Sequence, residues 1–188
     1  MSHNPALEAQ EQSEHAEHAA HEGDPFISRI AISVAVLAVF AAVAGSLETV
    51  EGGRALGATS EAVLAQDEAT DTWNEFQADS IKKHIYGIAA KEGGTNADDF
   101  KKNSKEYSDT QSKLMQEAKD KEKERDALLS EGKGHEDRHH WLTGSATLFE
   151  IGIAMSTVAI ITRKHWLWFT ALGFGIVGLV LLAAAYAT

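Results

Sequence analysis

The chain has no cysteine, and that absence removes disulfide frameworks, thiolate metal sites, iron–sulfur clusters and cysteine nucleophiles, while leaving the redox compartment open. Its two prolines are Pro5 and Pro25, so no later residue forces a helix to break. Positive charge is scarce: 17 Lys and Arg stand against 28 Asp and Glu, a formal net charge of −11. Phosphate affinity needs clustered cations, so nucleic acid is not an expected partner. No glycine-rich phosphate loop, GxSxG elbow or Ser-His-Asp pattern occurs. No catalytic residue is therefore assigned, no cofactor is expected, and the chain reads as a non-enzyme.

The apolar residues are concentrated. Between Phe26 and Val50 the only charges are Arg29 and Glu48, and from Trp141 to Thr188 only Glu150, Arg163 and Lys164. A bilayer crossing takes roughly 20 apolar residues. Three spans follow, over residues 26–50, 141–162 and 166–188, and membrane lipid is an expected partner. Ala38, Ala41, Ala42 and Gly45 in the first span, Gly152 with Ser156 in the second, and Gly173, Gly175 and Gly178 in the third offer flat faces for close helix packing. Trp141, Trp166 and Trp168 fall at the expected interfaces, where an amphipathic indole is favoured. Only Arg163, Lys164 and His165 separate the last two spans, so these pack antiparallel.

Residues 1–25 form a tail with six acidic residues, four His and no Lys or Arg. It lacks the basic start and early apolar core of a secretory signal, so it is expected to be retained. Residues 51–140 are polar and helical in pattern. Gly52-Gly53 weakens the continuation of the first span without stopping it. Leu56, Val63, Trp73, Phe76, Ser80, His84, Ile85 and Ile88 fall approximately along one stripe. Residues 93–99 read as a turn, with Thr95 or Asn96 as cap and Asp98 and Asp99 in the next first turn. The following helix carries Phe100, Tyr107 and Leu114 at seven-residue spacing, with exposed pairs Asp109–Lys113 and Glu117–Lys121. Gly132 and Gly134 loosen its end. The expected fold class is all-α: an integral membrane protein with three transmembrane helices and a long antiparallel helical hairpin, coiled-coil-like, between the first and second. Arms of some 35 to 40 residues are roughly 50 to 60 Å long at 1.5 Å per residue.

Orientation rests on short loops. The shortest carries Arg163 and Lys164, which puts the tail and that loop in the cytoplasm and the hairpin in the periplasm. Against this, the hairpin holds 14 Lys and Arg and the tail none.

Few residues could carry chemistry. Glu150 lies mid-span, where an ionised acid costs on the order of 3 kcal/mol or more. It reads either as a proton or cation relay or a counter-charge for a ligand, or as a carboxyl hydrogen-bonded to a neighbouring helix, for example to Ser145, Thr147, Ser33 or Ser46, to fix assembly register. His15, His18 and His21, interleaved with Glu14, Glu17 and Glu22, are weak metal candidates; so are His135 and His139, one turn apart. His135-Glu136-Asp137-Arg138-His139 satisfies HExxH literally. A working site of that type also needs a third ligand and a cleft, so a polar collar beside the membrane is the preferred reading. Trp73 and Phe76, with Gln77 and His84, are expected to pack against Phe100, Tyr107 and Leu114, or to present a face for self-association or another subunit.

The stretch Asp71-Thr-Trp73-Asn-Glu-Phe76-Gln77-Ala78-Asp79-Ser80-Ile81-Lys82 resembles a W-x-x-Y-Q-A-K-S-I-K-type stretch of the bacterial domain of unknown function 4337 family, with Phe76 in place of Tyr and Asp79 in place of Lys. The likeness extends to the His- and Glu-rich tail, the helical middle, Thr147-Leu-Phe149-Glu150-Ile-Gly-Ile153-Ala, Thr162-Arg-Lys164 and the Trp166-x-Trp168 opening of the last span. The resemblance implies the same architecture in a bacterial inner membrane and supplies no catalytic residue. The expected function is a non-enzymatic, homo-oligomeric membrane scaffold or accessory subunit, binding itself or a larger inner-membrane complex. The alternatives are a small channel or transport subunit using Glu150, and a metal-binding or metal-dependent protein using the His clusters.

Overall fold

A computed structural model describes residues 25–187. Among the described residues there are three α-helices and no strand: α1 Pro25–Glu92, α2 Ala97–Thr162 and α3 His165–Ala184. Each contains a stretch long and apolar enough to cross a membrane. Pro25 opens α1 at the first helical position, where its missing N–H costs nothing. Neither Gly52-Gly53 in α1 nor Gly132 and Gly134 in α2 interrupts its helix. The reversal between α1 and α2 uses Gly93 (φ 79°) and Gly94 (φ 114°), left-handed conformations that glycine adopts without a Cβ clash. The Phe100 N–H then donates to the Asn96 carbonyl (3.0 Å), closing the first turn of α2, with Asp98 and Asp99 beside its positive end. Arg163 (φ 53°) makes the second reversal.

The helices divide between two compact units, Leu56–Gly132 and the chain up to Ala55 together with Lys133 onward. In the first of these, buried positions on α1 recur three and four residues apart: Ala58, Ala62, Ala65, Ala69 and, further on, Asp79. On α2 the same spacing runs through Gln111, Leu114 and Ala118. Side-chain contacts pair the two segments in opposite directions. Lys121 Nζ meets Glu68 Oε2 (2.7 Å), Trp73 Nε1 donates to Glu122 Oε1 (2.9 Å), Lys83 Nζ donates to Gln111 Oε1 (3.0 Å) and Ser104 Oγ donates to the Lys83 carbonyl (3.1 Å). Arg125 also donates to Gln66.

Three expectations need correction here. The large aliphatics Leu56, Val63, Ile85 and Ile88 do not pack; they are 70%, 55%, 59% and 60% exposed, and the alanines pack instead. Small residues on α1 leave room for the long Lys121, Glu122 and Arg125 that reach it from α2. Trp73 and Phe76 contact each other edge-on (5.3 Å), while Phe100 and Tyr107 lie against Tyr86 (6.0 and 5.7 Å), roughly three to three and a half turns farther along α1. Lys121 bonds Glu68 and Glu124, the latter at 3.1 Å, in place of Glu117.

In the other unit, Ile30, Val34, Leu37, Ala41 and Ala44 of α1 join Ala146, Phe149, Ile153 and Ala159 of α2 and Leu167 of α3 in one apolar core. Glycine sets the spacing. A Cβ on Gly152 would meet the Ala171 carbonyl oxygen at 3.1 Å, one on Gly175 would meet Leu37 Cδ2 at 2.6 Å, and one on Gly178 would meet the Phe149 ring at 3.0 Å. Ser145 Oγ donates to the Gly178 carbonyl (2.8 Å), a buried bond between α2 and α3. Gly173 and Gly45 face open space and do not serve the packing expected of them. Trp168 is half-buried, its Nε1 donating to Ser33 Oγ (3.1 Å), while Trp141 and Trp166 stay exposed.

Candidate functional site

Just past the first apolar stretch, Glu48 and Glu51 fall one turn apart on α1 and face His135, Arg138 and His139 on α2. Glu51 is 2% exposed, an unusual place for a carboxylate. Its Oε2 lies 2.6 Å from His135 Nδ1 and 3.9 Å from Arg138 Nη1, and its Oε1 accepts from Arg54 Nη1 at 3.2 Å. Burial pushes the Glu51 carboxyl up, but the hydrogen bond and charge of His135, with Arg54 and Arg138, outweigh it and hold the carboxyl below its ordinary 4.5. Beside it, His139 Nδ1 lies 3.1 Å from the Glu48 carbonyl oxygen, and the Thr143 hydroxyl is placed to donate to Glu48 Oε1 (2.7 Å). Gly52 makes room: a Cβ there would come within 3.2 Å of His139 Nδ1. This cluster clamps α1 to α2 through compensated buried charge. Its chemistry is that of a register lock.

Both histidine rings of the HExxH run are thus engaged by α1, and Glu136 lies 3.8 Å from His140 Nε2. Among the described residues no group of three or more His, Asp or Glu side chains is placed to hold a metal ion. His15, His18 and His21 lie outside the described residues.

Glu150 sits on α2 and is exposed, at the outer edge of the buried stripe that contains Phe149 and Ile153. Three of the four hydroxyls expected near it bond other groups. Ser145 bonds Gly178, Thr147 donates to the Thr143 carbonyl (2.8 Å) and Ser33 donates to the Arg29 carbonyl (2.9 Å). The register role foreseen for Glu150 within its own chain therefore falls to Ser145 and Glu51.

Of the proposed association face, Trp73, Phe76, Phe100 and Tyr107 are half-buried and Leu114 is buried, so these serve packing inside the unit. Gln77 and His84 are exposed and share a helix face with Ile81 and Ile88. Sequence reasoning passed over Glu51, Tyr86 and Gln111. The signal for Glu51 was present in the one-turn spacing of Glu48 and Glu51, matched by that of His135, Arg138 and His139.

The chain belongs to the family described as domain of unknown function (DUF4337), whose model matches residues 26–188. No curated protein and no solved structure matches it.

Proposed function

We propose that this DUF4337 chain is a non-enzymatic, multi-pass membrane protein that assembles with further copies of itself, as a scaffold or as an accessory subunit of a larger assembly. In this reading the three apolar stretches cross a bacterial inner membrane. The tail and the Arg163-Lys164-His165 turn face the cytoplasm, and residues 51–140 form a coiled-coil-like hairpin in the periplasm.

One observation carries the proposal. Leu56, Val63, Leu64, Ile81, Ile85 and Ile88 lie outside the apolar stretches and are all more than half exposed. Single exposed aliphatics are ordinary, but Ile81, Ile85 and Ile88 recur at i, i+4 and i+7, which puts them on one face. A row of this kind marks an association surface, and Gln77 and His84 border it. A channel built on Glu150 would need several copies, because that carboxyl lies on the outer side of its own chain's bundle. A metal role for His135 and His139 would fall to their Nε2 atoms, because each Nδ1 is turned to α1. The test is the mass of the full chain, purified in mild detergent and measured by light scattering. Two or more copies per particle are expected, and a monodisperse monomer overturns the proposal.

A further inference from the structure

We infer that the outer face of α2 centred on Glu150 is where two copies of this chain meet inside the membrane, with the two Glu150 carboxyl groups in contact; this rests on the self-assembly proposed above and adds its location. Among the described residues, no hydrogen bond or ion pair engages Glu150. It lies nine residues after Trp141 and twelve before Thr162. At about 1.5 Å per residue that is roughly 14 and 18 Å from the two ends of the span, beyond the reach of a glutamate side chain to either headgroup layer. Left facing lipid, its carboxyl would have no partner in a medium that supplies none.

The residues around it suit close approach of another helix. Thr143, Thr147, Glu150, Ala154, Thr157 and Ile161 follow one another at intervals of four, three, four, three and four, and all but the half-buried Thr157 are exposed. This is a second 3.5-residue seam, turned away from the one that α2 uses inside its own chain. Thr143, Thr147 and Thr157 already donate within the chain, so their oxygens keep capacity to accept from an incoming donor.

Membrane insertion decides the occupant. Every copy enters the bilayer with the same topology, so a symmetric pair is related by a two-fold axis along the membrane normal, and each residue meets residues at its own depth. A second copy therefore brings Glu150 to Glu150, flanked by Thr147 and Ala154. A carboxyl pair offers both donor and acceptor, which lipid cannot. No foreign chain is guaranteed a polar group at that depth; a second copy is.

Because the chain lacks cysteine, single-cysteine variants of the full chain in native membranes report this contact directly. Thr147→Cys and Ala154→Cys should form disulfide-linked dimers on mild oxidation, at least tenfold more than Ile176→Cys and Val180→Cys, which place the thiol on exposed positions of α3. In the Ala154→Cys background, Glu150→Gln should keep cross-linking within about twofold, since paired amides reproduce the donor and acceptor. Glu150→Ala should reduce it about tenfold, with the helix content by circular dichroism unchanged. Cross-linking at α3 positions equal to that at 147 and 154 overturns the inference, as does cross-linking indifferent to Glu150→Ala. If the particle mass is still that of several copies when 147 and 154 fail to cross-link, this face is wrong and self-assembly stands; a monomeric mass removes both.

Discussion

Glu51 concentrates the electrostatic cost of the molecule in one side chain. A buried charge is tolerable only while its partners remain. Glu51→Ala should therefore destabilise the purified protein by about 1 to 3 kcal/mol near neutral pH, because the His135 ring loses its buried hydrogen-bond partner. The pH dependence has a definite sign. The folded carboxyl is held below its ordinary 4.5, so the native state binds fewer protons than the unfolded chain. The stability it contributes is fully present above that ordinary value and is lost as pH falls through the lowered one. Thermal melts should show the gap between the natural chain and Glu51→Ala narrowing over that acid range. A gap independent of pH would assign the loss to packing.

At the scale of whole helices, glycine separates contacts that hold from surfaces that are free. Gly152→Ala should cost about 1 to 3 kcal/mol, because the new methyl meets the backbone oxygen of Ala171 and α3 must move to admit it. Gly173→Ala should be neutral or stabilising by up to about 1 kcal/mol, since open space surrounds that position and alanine is the better helix former. Thermal melts in one detergent compare the two, and equal losses would mean that α3 does not pack as described. The elements themselves were legible in the sequence: the apolar stretches, the Gly93-Gly94 turn and the Arg163-Lys164 reversal need only local chemistry. The faces were less so. Apolar size pointed to Leu56, Val63, Ile85 and Ile88, but what packs is set by the side chains that come across from α2. There Lys121, Glu122 and Arg125 reach the polar groups of Glu68, Trp73 and Gln66, while Ala65 and Ala69 are the positions buried nearby in sequence. Tyr86, and not Trp73 or Phe76, meets Phe100 and Tyr107, because the register of the two segments is fixed by the length of the turn between them.

For the molecule as a whole, the proposed assembly rests on apolar surface left uncovered in the single chain. Ile85→Glu places a charge in the exposed row of α1 and should lower the number of copies per particle, or its stability to dilution at least tenfold, with helix content unchanged. Unchanged mass and dilution behaviour would show that this row is not a contact. The candidate site was half legible on this scale. Glu150 stands out as an acid in an apolar run, but its direction depends on which side of α2 faces α1 and α3, which no local pattern states. Glu51 was hidden by its position at the edge of the span, where acids are common. Arg163 combines a strained backbone with a positive charge. Holding a non-glycine residue at φ 53° costs on the order of 1 to 2 kcal/mol, and this residue is also one of two cations in the tightest reversal of the chain. Under the orientation proposed above, the amino acid that would relax the bend most, glycine, would also halve the charge of the short turn on which that orientation rests. In that proposed reading, the strained bend is the cost of an address used once, during synthesis.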